Sequence, residues 1–156
     1  MNSLLHLAFV VAVGLLLSSS SGAQETDPVT LAPSTAADSA LLQGKWEGVE
    51  VGREGSGTCT LTVSGDTMHF QSWNKDEWYK ATFTLPAATN PKQLKGTIAD
   101  CPRPDMVGKT STGIFKIEAG KLTLAGCKPG TGESPKTFDA DASVRVFIFK
   151  KAPEAK

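Results

Sequence analysis

Residues 59–73 read CTLTVSGDTMHFQSW. Apolar and polar side chains alternate on both sides of Gly65-Asp66. Period-two alternation marks a strand with one buried face, and a Gly-Asp pair between two such runs marks a tight hairpin. Cys59, Leu61 and Val63 share one face of the first run; Met68, Phe70 and Ser72 share one face of the second. The pattern recurs in KIEAGKLTL, residues 116–124, around Ala119-Gly120. Two similar hairpins do not make a repeat protein, but they set the period of the chain.

Outward from these hairpins, eight runs have strand character: Lys45–Val51, Thr58–Ser64, Thr67–Trp73, Tyr79–Leu85, Leu94–Asp100, Thr112–Glu118, Lys121–Ala125 and Val144–Lys150. Most are rich in Thr, Val, Ile, Leu, Phe or Trp and bounded by Gly, Pro, Asn or Asp. No segment after residue 44 keeps a helical period over ten residues. Eight short strands with short connections predict an all-β, antiparallel up-and-down meander that closes into a barrel and so removes its edges. A barrel of about eight strands is either filled by side chains or holds one small ligand.

Alternation selects the inward residues. Besides those above they are Tyr79, Ala81, Phe83 and Leu85, then Gly113, Phe115 and Ile117, then Leu122 and Leu124. The last strand is apolar on both faces, Val144, Val146 and Ile148 against Phe147 and Phe149. Such a strand is covered from outside, and the turn carrying Leu41 and Leu42 is one candidate cover. Ser72, Ala81 and Gly113 are small inward residues, which fits a cavity and fits tight packing against larger neighbours equally. If it is a cavity, its wall near the rim is Phe70, Ser72, Ala81, Phe83, Phe115 and Ile117, suited to a small hydrophobic ligand.

The domain is preceded by a different kind of sequence. LLHLAFVVAVGLLL, residues 4–17, is apolar apart from His6, and Ser21 and Ala23 place small residues ahead of Gln24. This reads as a signal peptide over 1–23, since about 14 apolar residues are short for a span of about 20. An uncleaved anchor is the alternative. Residues 24–40, rich in Pro, Thr, Ala and acids, read as a flexible linker; DSALLQ, 38–43, can form one helical turn capped by Asp38 or Ser39. Residues 41–151 form the barrel domain and 152–156 a disordered tail. The expected location is the periplasm, the exterior or the cell envelope, with no membrane span once the leader is cut.

Sixteen basic and sixteen acidic residues give a net charge of zero, interspersed without blocks. Nucleic acid and anionic membrane surfaces need a local excess of Lys and Arg, so both are excluded as partners. Cys59, Cys101 and Cys127 follow the leader, and export permits oxidation. In an up-and-down meander all three lie at one rim. Cys101 and Cys127 sit in loops past strand ends, so a Cys101–Cys127 disulfide is expected, with Cys59 a buried thiol and Cys59–Cys101 the rival pairing. There is no CxxC and no His-Cys cluster, so no metal site is expected. His69 is the one histidine after the leader and alternates with Phe70, which turns it outward. Asp76 and Glu77 lie in WNKDEWYK, bracketed by Lys75 and Lys80, and read as a solvated turn rather than a catalytic pair. GKT at 108–110 lacks the upstream glycine of a phosphate loop. No catalysis and no cofactor are expected. Trp73 and Trp78, in or beside that turn, are either rings packing the wall or a surface for a protein partner in the envelope.

In order and spacing, LQGKW, TLTVSGDTMHF, ATFTLPAATNPKQLKGTI, GKTSTGIFKIEAGKLTLAG and SPKTFDAD resemble an uncharacterised lipocalin-like domain family expanded in planctomycete bacteria. The likeness covers about residues 41–150. It implies an exported eight-stranded lipocalin-like barrel and brings no established activity or catalytic residues. GKW also resembles the GxW signature of lipocalins, on Gly44 and Trp46. That resemblance implies that Trp46 closes the barrel floor and that Arg145, on the last strand, packs over it through a cation–π contact of about 0.5–2 kcal/mol. The sequence thus expects a non-catalytic binding module; the alternative is a filled barrel with a structural or inhibitor-like role toward an envelope protein.

Overall fold

A computed structural model describes residues 35–153. A helix α1 (Thr35–Leu42) leads into eight strands: β1 (Gly44–Glu50), β2 (Cys59–Ser64), β3 (Thr67–Gln71), β4 (Trp78–Thr84), β5 (Lys92–Asp100), β6 (Thr110–Glu118), β7 (Lys121–Cys127) and β8 (Val144–Lys151). A single 3-10 turn, Pro104–Met106, interrupts the β5–β6 connection. Every strand pairs antiparallel with its chain neighbours, and β1 also pairs with β8, so the sheet closes. The expected up-and-down barrel is what the chain forms.

Both hairpins turn where the sequence placed them. Gly65 has φ 60° between β2 and β3. Ala119 and Gly120 have φ 49° and 72° between β6 and β7. Two consecutive left-handed residues twist the backbone in the sense that matches the flanking strands. Strand bounds differ from the expectation by up to two residues. β3 stops at Gln71, before Ser72 and Trp73; β5 starts at Lys92 and β6 at Thr110, two residues early in each case; β7 runs on to Cys127.

The helix is longer than one turn and starts inside the segment expected to be linker. It forms because it docks. Asp38 is buried and ion-pairs with Lys92 on β5. Leu42 joins the core while Leu41 stays 52% exposed. The Gln43 side chain grips the β2–β3 turn, accepting from Gly65 N–H at 2.8 Å and donating to Gly65 O at 3.1 Å. Gly44, at φ +103°, then turns the chain from helix into β1. The expected signal peptide (1–23), most of the linker and the last three residues of the tail lie outside the described residues.

At this end the barrel is filled. Trp46 is 1% exposed and packs with Leu42, Val63, Phe83, Phe115, Leu122 and Phe149. Its indole N–H donates to Leu42 O at 2.8 Å, so the ring brings its polar atom into the core already partnered. Trp46 closes the floor, but Arg145 does not cover it. The cation over the Trp46 ring is Lys151, at 4.9 Å. Trp46 pairs with Lys151 in the β1–β8 ladder. Arg145 lies six residues up that strand, about 20 Å away at 3.3 Å per residue.

The second face of β8 is covered as expected, though not by the N-terminal turn. Val144 and Val146 join Ile114 and Ala125 in a cluster on the outside of β6–β8, and Phe138 from the β7–β8 connection packs on it. Ile148, further along, remains exposed.

Replacing Trp46 by Ala leaves a cavity in the filled floor and an orphan carbonyl at Leu42. The expected cost is about 3–5 kcal/mol, read as the drop in unfolding free energy from urea titrations of wild-type and Trp46→Ala protein.

Candidate functional site

Away from Trp46 the barrel is hollow. A cavity of about 370 Å³ opens at the end where β1 stops and β8 begins. Its apolar lining includes Leu61, Met68, Phe70, Leu94, Leu124 and Phe147. The space exists because four inward or wall positions carry little or no side chain: Ala81, Gly96, Gly113 and Gly126. They reflect two different constraints. A β-carbon on Gly113 would lie 2.7 Å from Ala125 O, so this glycine serves close strand approach. A β-carbon on Gly126 would meet nothing within 4 Å, so this one simply leaves room.

Of the six wall residues expected from alternation, Phe70 and Ala81 line the cavity. Phe83, Phe115 and Ile117 point inward but belong to the filled floor. Ser72 is buried in the β3–β4 turn, where its N–H donates to Glu77 O at 2.9 Å. Alternation finds the inward face but not the height along the barrel, and three of the six sit too low.

The mouth carries charges on the inward phase of β1 and β8. Glu50 shares its face with Trp46, and Arg145 shares its face with Phe147 and Phe149. Arg145 Nε donates to Glu50 Oε1 at 2.8 Å and Nη2 to Glu50 Oε2 at 2.9 Å, a two-pronged pair. On its other edge the guanidinium binds Glu77, Nη1 to Oε1 in a short contact and Nη2 to Oε2 at 3.5 Å. Its Cζ lies 5.1 Å from the centre of the Phe147 ring, a cation–π contact. Phe147 in turn meets Phe70 edge-on at 5.0 Å and stacks on Phe149 at 5.9 Å. An aromatic column thus runs from the charged mouth to the floor.

Local structure holds each member. Glu50 ends β1 with its side chain 7% exposed, and Arg53 reaches it at 3.4 Å. Glu77 sits in the 72–77 turn, which the Gln71 side-chain amide ties together by donating to the carbonyls of Ser72, Asn74 and Glu77. Glu77 is therefore no freely solvated turn residue: it leans over the mouth onto Arg145. At the start of β8, Asp141 Oδ1 accepts from the N–H groups of Ser143 and Val144, which sets the strand entry. The Arg145 hydrogen bonds lower the Glu50 pKa against the opposing pull of burial. The same contacts with Glu50 and Glu77 raise that of Arg145. Burial, reinforced by the Glu77 charge, raises the Tyr79 phenol at the cavity wall.

The three cysteines are free thiols, so the expected Cys101–Cys127 bridge is absent. Strand β6 separates the two. Crossing two strand spacings of about 4.8 Å puts them about 10 Å apart, beyond the roughly 7 Å that a disulfide spans. Cys101 packs with Ile98 and Met106 and donates from Sγ to Arg103 O at 3.0 Å. Burial, followed by the Asp141 charge, raises the pKa of the Cys127 thiol, which disfavours its thiolate. Cys59 is fully buried in the core.

His69 faces outward with its ring edge-on to Trp78 at 6.1 Å, and Lys80 lies 5.3 Å over Trp78. Trp78 is thus a wall ring. Trp73 is 45% exposed in the turn. Among the described residues no three His, Cys, Asp or Glu side chains gather as a metal site, and no helix is long and apolar enough to cross a membrane.

A closed eight-stranded meander, filled at one end and hollow at the other, is a lipocalin-like barrel. No protein-family model matches the chain, and no curated protein sequence matches it. Among solved structures, a crystal structure of a mutant of the fluorescent protein UnaG matches over 74% of this chain and 99% of that one, with 15% identity and a TM-score of 0.37. At that level the likeness says nothing of what this chain binds.

Because Arg145 holds the Glu50 carboxylate ionised, Glu50 stabilises the fold fully above its ordinary pKa of 4.5, and this contribution fades as pH falls below that value. Glu50→Gln is expected to lose about 2 kcal/mol near pH 7. The gap to wild type should close in acid, as read from denaturation midpoints across a pH series.

Proposed function

We propose that this chain is an exported, non-catalytic binding module of the lipocalin-like family that its motifs resemble, and that its calyx takes a small hydrophobic ligand. The observation that carries this reading is the 370 Å³ cavity, open at one end and walled by Leu61, Phe70, Leu124 and Phe147. Ligand sites of this kind are mostly apolar, with volumes of about 300–1,000 Å³ and few polar groups. Every buried side-chain polar atom among the described residues has a partner, so the interior is not arranged around an unmet polar demand. The mouth offers little for catalysis. Its two acids both ion-pair with Arg145, burial raises the pKa of its thiol, and His69 lies on the outer wall.

Export is supported by the apolar leader and the small residues at Ser21 and Ala23. Expressed from the full sequence in a Gram-negative host, the protein should appear in the periplasmic fraction with Gln24 as its first residue by intact mass. A cytoplasmic chain that keeps residues 1–23 would defeat this part.

The pocket is tested by titrating the protein with an environment-sensitive apolar fluorophore. Saturable binding is expected, and Gly126→Leu should weaken it at least about tenfold with an unchanged circular dichroism spectrum, because position 126 opens onto free space. Absence of saturable binding, or equal binding by Gly126→Leu, would show that the interior is not the site.

A further inference from the structure

The mouth of a hollow barrel decides which polar end a ligand can carry. Here the guanidinium of Arg145, on the inner wall, is already largely engaged. An arginine has five N–H donors, and four of them in Arg145 point at Glu50 and Glu77. Phe147 makes a cation–π contact with it. A carboxylate arriving from the cavity would find one N–H left and no free edge for a two-pronged pair, and would have to enter beside two like charges. Of the other cations at the mouth, Arg103 is paired with Asp105, and both are exposed. Lys128 has no ion pair among the described residues, but it is exposed on the rim, where its attraction is weakened by solvent and salt.

The acceptor side is the opposite case. Glu77 lines the cavity, its side chain is 24% exposed, and its Oε2 makes one long contact of 3.5 Å. A carboxylate oxygen in that state accepts further hydrogen bonds. Tyr79, beside it on the wall, is kept neutral. For size, 370 Å³ holds about a dozen units at about 30 Å³ each, the share of one water in the liquid.

Resting on the binding reading above, we propose that the calyx selects an uncharged amphiphile of about a dozen heavy atoms, whose terminal hydroxyl donates to Glu77, and that it turns away the carboxylate of equal length. Glu77 is then the specificity residue and Arg145 its positioning partner. The apolar body lies along Phe70, Phe147 and Leu124, and the hydroxyl stays at the mouth.

The test is displacement of the bound fluorophore from the full chain by 1-decanol and by decanoate near pH 8, where the acid is fully ionised. Decanol should displace at a concentration at least about tenfold lower, as expected of a lost charge-assisted hydrogen bond and a like-charge clash. The alcohol is also the more apolar probe, so the variants decide. Glu77→Gln and Glu77→Ala each remove a negative charge and free guanidinium donors. Both should bring the decanol-to-decanoate ratio down about tenfold, mainly by strengthening decanoate. An unchanged ratio in both variants, or decanoate equal to decanol in the wild type, overturns the proposal while leaving the binding reading in place. If neither probe displaces the fluorophore, the proposal falls, while fluorophore binding that Gly126→Leu weakens still supports the binding reading.

Discussion

The ladder between β1 and β8 is the constraint on which everything else rests. It turns an eight-stranded ribbon into a tube and removes the two edges that would otherwise invite foreign strands. It also requires an unusually close passage. A β-carbon on Gly48 would sit 2.1 Å from Ile148 O, so only glycine lets β1 lie against β8 at this point. The same ladder places Trp46 opposite Lys151 at one end and Glu50 opposite Phe147 at the other. One pairing register therefore sets both the plug and the mouth.

The two ends are built on different physics. At the floor, large rings and aliphatic groups fill the tube, and the helix, Gln43 and the Asp38–Lys92 pair fasten the connection beneath it. At the mouth, small residues on β4–β7 leave the tube unfilled, and a charged cluster stands in place of a lid. Burying ions is costly unless they are well paired. Arg145 meets this condition by holding one carboxylate from β1 and one from the β3–β4 turn, with an aromatic face beneath it. The charges therefore sit at the rim of an apolar cavity without leaving any fully buried side-chain polar atom unpartnered among the described residues.

Much of the fold can be read from the sequence, because alternation and turn chemistry are local. The hairpins at Gly65-Asp66 and Ala119-Gly120 and the inward faces of β2, β3, β4, β6 and β7 follow from spacing alone. What does not follow is height along the barrel. Phe115 and Ile117 obey the same parity as Gly113, yet they belong to the floor and not to the cavity. The resemblance put Arg145 over Trp46, but a partner depends on register, and Arg145 meets Glu50 instead. Glu77 looked solvated because the neighbouring lysines are local while its true partner is 68 residues away. The cysteines misled for a related reason. Rim position was right, but the intervening strand sets a distance that loop reach does not overcome.

The outer cluster under Phe138 has a mechanical consequence. Strands β6 to β8 are packed on both surfaces near the mouth, inside against the cavity wall and outside against Phe138, Ile114 and Val146. The outer face of the opposite wall carries the lighter His69–Trp78 contact and exposed Thr82, and the β4–β5 ladder shifts register at Lys80/Ala81. Fluctuations that widen a tube follow the side with fewer buried contacts. The flank around β3 and β4 is thus the compliant one, while the β6–β8 side is held firm as a backboard.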